Sequence, residues 1–160
     1  RGHTLLIKRG KCPLIKLLCG YRMNQPPHYE KVLDLALEIV NAEDKTAEWQ
    51  AYNQLNLICQ THENSDLDHP FQWETLGDYT RDPEKALPIY FKALNLAVLK
   101  GFNDNIASIN LAISEQYKEL RNFDKAWGYA NLAQESANKL SDLSLKQDIS
   151  EILIELSEST

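Results

Sequence analysis

Residues Ala107–Leu140, ASINLAISEQYKELRNFDKAWGYANLAQESANKL, read as two amphipathic helices joined by a tight turn, and the rest of the chain repeats or caps that unit. The first helix carries Ile106, Ile109, Ile113 and Tyr117 at steps of three and four, with Leu120 at its end, so one stripe is apolar. Asn103 or Asp104 is expected to cap its start, and Asn122, after the turn Arg121-Asn122, to cap the second helix. The second helix carries Phe123, Ala126, Ala130, Ala133 and Ala137, with Trp127 and Leu132 widening the stripe. Small residues in that row permit close backbone approach, while the first helix supplies the volume. Such a pair cannot bury its faces alone, so it implies neighbours.

Asn110, Ile113, Ser114, Tyr117, Phe123, Ala126, Ala130 and Ala133 resemble the tetratricopeptide (TPR) repeat. That pattern sets a large residue, two spacers, Leu-Gly, two spacers and Tyr, then Ala, three spacers and an aromatic. Asn110 stands for the usual Trp and Ala130 for the usual aromatic. Upstream, Trp73-x-x-Leu76-Gly77 matches the opening and Ala86-x-x-x-Tyr90 with Ala93 the second half, although Tyr79 comes one residue early. Ala51 is the expected equivalent of Ala86 in the preceding pair. The resemblance implies an all-α, right-handed α-solenoid of about three TPR-like hairpins, 28–63, 70–101 and 104–140, closed by a capping helix at 142–158.

The remaining segments fit that outline. His28 to Asn41 places Tyr29, Val32, Leu33, Ala36, Leu37 and Val40 on one helical face, and a second helix at about 46–63 turns Trp49, Tyr52, Leu55, Ile58 and Cys59 towards the core. A polar loop, 61–69, precedes Pro70, which restarts the chain in a helix to Tyr79. Asp82-Pro83-Glu84 is a helix start, with Asp as cap and Glu at the positive end of the macrodipole. That helix ends at Gly101, suited to a left-handed closing conformation, and contains Pro88, which removes one backbone bond. After Ser141, expected as a cap, Leu145, Ile149, Ile152, Leu153 and Leu156 line one side of the last helix. That side either shields the open end of the stack or serves as a dimer surface.

With 160 residues, 43% of them hydrophobic and 25% charged, the composition suits one folded unit of 23–160 with a useful core. The net charge of −6 disfavours wrapping of a nucleic-acid backbone. Residues 1–22 hold six of the 17 Lys and Arg (Arg1, Lys8, Arg9, Lys11, Lys16 and Arg22) and no acid, which leaves the remainder at −12. This basic leader is expected to be non-native or disordered, with a native start at Met23; the alternative is a basic arm that touches the acidic body or a membrane surface. Lys16 interrupts the apolar run a signal peptide would need, and no membrane span is expected.

Catalytic signals are thin, and the chain reads as a non-enzyme without cofactor or metal. No P-loop, GxSxG or HExxH occurs, and Asp66 and Asp68 lack the glycine of a calcium loop. Cys12, Cys19 and Cys59 form no CxxC, so a reduced, cytoplasmic setting is expected. Cys59, His62 and His69 supply only three ligands for a zinc ion and are read as a buried thiol and two loop histidines.

What remains is surface. By the TPR resemblance, the first helices of successive pairs line a groove for a protein or peptide partner, here Glu74, Asp78 and Arg81 on one helix and Ser108, Leu111, Glu115 and Lys118 on the next. The family's clamp for a carboxyl-terminal chaperone tail places Lys and Asn in this row, where Leu111 and Glu115 stand. Acidic residues favour a basic partner. Trp49 and Trp73 fall on core stripes, whereas Trp127 is expected partly outward, as a binding hot spot. The expected function is an adaptor; alternatives are a self-assembling homodimer that uses the last helix, or neutralisation of a basic toxic partner in the manner of immunity proteins.

Overall fold

The computed structural model describes residues 25–158. The basic leader 1–22, with Cys12 and Cys19, and Met23 lie outside the described residues. Among the described residues there are seven α-helices and no strand: α1 Tyr29–Val40, α2 Lys45–His62, α3 Pro70–Asp78, α4 Pro83–Lys100, α5 Asn103–Glu119, α6 Phe123–Ala137 and α7 Leu143–Glu158.

Capping chemistry sets most of the boundaries. The Asp44 carboxylate accepts from the N–H groups of Thr46 and Ala47, the Asp82 carboxylate from the Glu84 N–H, and the Asn122 side-chain Oδ1 from the Lys125 N–H. Gly101 closes α4 at φ 74°, the left-handed conformation that costs glycine nothing. Two expected caps are corrected. Asn103 is already helical and α5 starts after Phe102 without a side-chain cap. The cap of α7 is Asp142, whose carboxylate accepts from the Leu145 N–H at 2.9 Å, rather than Ser141, because its Oδ1 reaches the third residue on. The α5–α6 turn is made by Arg121 at φ 58°, which lets the Asn122 N–H bond back to the Tyr117 carbonyl at 2.9 Å.

Each helix packs on the next along the chain, and alternate helices touch as well: α1 with α3, α3 with α5, and α5 with α7. Two apolar cores result. The first gathers Val32, Leu35, Ile39, Leu55, Trp73, Leu76, Tyr90, Ile109 and Ile113 from α1 to α5. The second gathers Ala107, Leu111, Ala126, Ala130, Leu145, Ile149, Ile152 and Leu156 from α5 to α7. Helix α5 faces both, which is why Asn110, Ser114 and Gln116 are buried on it along with its isoleucines. The last helix thus spends its apolar side inside the chain, against α5 and α6.

The small-residue rows lie where expected: Ala51, Ala86, Ala93, Ala126, Ala130 and Ala133 are all buried. The apolar face of α1 is rotated from the expected one. Val32, Leu35, Ala36 and Ile39 are inside, while Leu37 and Val40 are exposed. Both sets satisfy the helical period, and contact with α2 and α3 selects between them. Trp49 is likewise not a core residue, being 66% exposed. The inward line of α2 is Ala51, Leu55 and Cys59, and a residue two positions away lies about 200° round the helix.

The approach of α4 to α3 depends on one glycine. A Cβ on Gly77 would lie 2.7 Å from Cε1 of the buried Tyr90 ring, closer than side-chain contacts allow. At the matching place in the next pair, Ser114 stands opposite a second helix with Ala130 instead of Tyr, and its hydroxyl donates to the Ala126 carbonyl at 2.7 Å. The small residue on the first helix thus grows where the aromatic on the second is missing.

Gly77→Ala is expected to destabilise the protein by about 1–3 kcal/mol, since overpacking outweighs the gain in helix propensity. Gly128→Ala, where nothing lies within 4 Å of the added Cβ, is expected to stabilise it by about 0.5–1 kcal/mol. Urea unfolding of the two variants checks the opposite signs.

Candidate functional site

The spacing Ala86-x-x-x-Tyr90-x-x-Ala93 turns Tyr90 towards α3, where Gly77 leaves room for its ring and its hydroxyl donates to Asp78 Oδ1 at 2.8 Å. Glu74 lies one turn before Asp78 on α3, and the Asn105 amide on α5 donates to Glu74 Oε2 at 2.9 Å, tying the second turn of α3 to the first turn of α5. Tyr90 is held well above its ordinary value of 10.0, first by burial, then by the charge and hydrogen bond of Asp78, then by Glu115 and Glu74. Three carboxylates from two neighbouring helices therefore share one electrostatic neighbourhood around a phenol that keeps its proton. Such an arrangement offers negative potential and hydrogen-bond acceptors to a cationic group.

The other expected groove residues divide. Ser108, on the same helix as Glu115, turns its hydroxyl back to the carbonyls of Asp104 and Asn105. Lys118 pairs with Glu155 of α7, which extends the charged row from α5 to the last helix. Arg81 is directed elsewhere, since its guanidinium pairs with Glu48 of α2 at 2.6 Å on an exposed edge. Leu111 is a correction: it is 7% exposed and packs in the second core with Ala107 and Leu145, so it lines no groove. The reason is α7, which covers the side of α5 that three hairpins alone would leave open. Trp127 is 43% exposed, as expected, in an open cleft of about 300 Å³ lined also by Phe123, Asp124, Leu156 and Ser157.

The loop before α3 is more built than its polar sequence suggests. Asp68 is buried, with one carboxylate oxygen accepting from the Trp73 indole N–H and the other from the Asn64 N–H, both at 2.8 Å. Trp73 is a core residue, as expected, and Lys92 sits 4.2 Å above its ring. His69 Nδ1 accepts from the Phe71 N–H at 3.1 Å and so caps α3, a role no polar-loop reading supplies. Burial, aided by Lys100 and opposed by Asp68, lowers His69 to about 4. His62 stacks on His28 instead, and the Cys59 thiol, pushed up to about 12 chiefly by burial, donates to the Gln72 carbonyl. Each of the three side chains once considered for zinc thus has separate work. Among the described residues no group of three or more His, Cys, Asp or Glu is arranged to hold a metal ion.

Compared with protein-family models, curated proteins and solved structures, the chain matches none of them. No helix among the described residues is long and apolar enough to cross a membrane.

Tyr90→Phe is expected to cost about 1.5–3 kcal/mol in urea unfolding, the loss of a hydrogen bond to a charged acceptor. It should also flatten the fall in stability above pH 10, where the unfolded tyrosine releases a proton that the folded one keeps. His69 supplies the opposite limb. It stays neutral in the fold while the unfolded imidazole binds a proton, so its contribution is complete above pH 6.5 and is lost as pH falls towards about 4. His69→Asn, which keeps a cap at that position, should reduce the slope of stability against pH in that window.

Proposed function

We propose that the chain is a protein-binding adaptor that holds a basic peptide or protein segment on the face formed by α3 and α5, with no bond made or broken. The observation that carries this reading is the gathering of Glu74, Asp78 and Glu115 around Tyr90, from two first helices joined by the Asn105 to Glu74 hydrogen bond. We read the architecture as a right-handed TPR-like α-solenoid of three hairpins with α7 as its capping helix. Support comes from the two imperfect repeats, the buried alanine rows and the contacts between alternate helices. A solenoid presents its first helices as a continuous row, so a partner laid across α3 and α5 meets preset carboxylates and loses little affinity to reorganisation.

The charge of the face contributes attraction over about one Debye length and discriminates against acidic partners. A toxic basic protein neutralised in the manner of an immunity protein would be one case of the same interaction. Self-assembly through α7 would use Leu143 and Ile154, which are exposed on it, because the stripe from Leu145 to Leu156 is covered within the chain.

The test is calorimetric titration of the full chain with a Lys- and Arg-rich peptide and with an acidic peptide of equal length. Binding of the basic peptide alone is expected, weakened roughly tenfold or more by Glu74→Gln, Asp78→Gln and Glu115→Gln together and by raised salt. Unchanged affinity in the triple variant would remove the face from consideration.

A further inference from the structure

The geometry points to a specific occupant of this face within the same chain: the basic segment 1–22, docked across α3 and α5 so that an outside basic ligand must displace it. The inference rests on the proposed reading of the face as a site for basic segments, and adds the regulation of that site.

Charge complementarity is the first argument. Residues 1–22 carry six Lys and Arg without one acid, whereas the remainder of the chain stands at −12. The bases are interleaved with apolar residues, as in Leu14-Ile15-Lys16-Leu17-Leu18, so charge and apolar area come on one segment.

Chain geometry is the second. The described chain enters the fold at Gln25, just before α1, and the Tyr29 ring stacks on Phe71 at 5.5 Å, in the first turn of α3. Phe71 precedes Glu74 by three residues, about 4.5 Å along the helix axis. The segment therefore joins the fold at α1, which is in contact with the helix that carries Glu74. Glu115 lies about 15 Å along α5 from the Asn105 that holds Glu74, and about six extended residues reach it across one helix spacing.

Tethering decides the consequence. A short link holds the segment at an effective concentration of about 1 mM, so even an intrinsic Kd near 10 µM would keep the face occupied and weaken an outside ligand about a hundredfold. The leader then acts as an autoinhibitory contact: only a tighter basic partner, or one that also binds elsewhere, gains access.

The experiment uses the full-length chain. Trypsin cleavage at Lys8, Arg9, Lys11 and Lys16, and iodoacetamide labelling of Cys12 and Cys19 with buried Cys59 as the internal reference, are followed by mass spectrometry. Both rates are expected to rise roughly tenfold in the Glu74→Gln, Asp78→Gln, Glu115→Gln variant, and in the native chain as salt screens the contact. Equal rates in the native and variant chains, or protection that appears only with phosphatidylserine vesicles, would overturn the inference.

A second variant keeps the test independent of any folding defect in the first. In full-length Lys8→Gln, Arg9→Gln, Lys11→Gln, Lys16→Gln, a free Lys- and Arg-rich peptide should bind at least tenfold tighter than to the native chain. Equal binding to both, still dependent on Glu74, Asp78 and Glu115, overturns the docked leader and leaves the adaptor reading standing. Absence of binding to either overturns both.

Discussion

The structure depends on how closely the second helix of each pair approaches the first. Ala86, Ala93 and Ala97 on α4, and Ala126, Ala130, Ala133 and Ala137 on α6, are buried to within about a hundredth of their surface. A larger residue in either row would push the helices apart and open the two cores together, because α5 belongs to both. The constraint is sharpest at Gly77, where the α3 backbone lies against the Tyr90 ring. There the packing also has a chemical result, since only a ring passing that close to α3 can set its hydroxyl against Asp78.

The candidate face follows from that packing. Glu74 and Asp78 are half-buried carboxylates one helical turn apart, a spacing ordinary on a helix. What distinguishes them is the buried phenol beneath, whose hydrogen bond fixes Asp78, and the Asn105 amide, which fixes Glu74 relative to α5. Glu115 then joins from the next first helix. A face assembled in this way is held in one arrangement, as the proposed adaptor reading requires. The Tyr90 phenol keeps its proton, and the Cys59 thiol is pushed up to about 12 by burial, away from nucleophilic use.

The loop from 63 to 69 has a supporting role. It turns Asp68 inward to hold the Trp73 indole and sets His69 as the cap of α3, so the helix that carries Glu74 and Asp78 is tied at its start. Lys100 adds a bond to the Asp68 carbonyl from the far end of α4. The first helix of the candidate face is thereby held from both its own loop and the following helix.

Helix content, the alanine rows, the start at Asp82-Pro83 and the close at Gly101 were all legible in the chain itself. Each is a local matter: a 3.6-residue period, a side chain within three residues of the N–H it caps, or a φ that glycine tolerates. The repeat pattern also singles out Glu74, Asp78 and Glu115 as candidates, the residues on which the proposed face rests. Tertiary structure alone decided which of two equivalent faces of α1 turns inward, that Trp49 lies outside, and that Leu111 is covered by α7. It alone placed the Tyr90 hydroxyl against Asp78 and made Asp68 and His69 part of the scaffold. Periodicity ranks the sides of a helix by polarity but carries no information on which neighbour arrives at each side, and contacts between residues 12 or more apart depend on that.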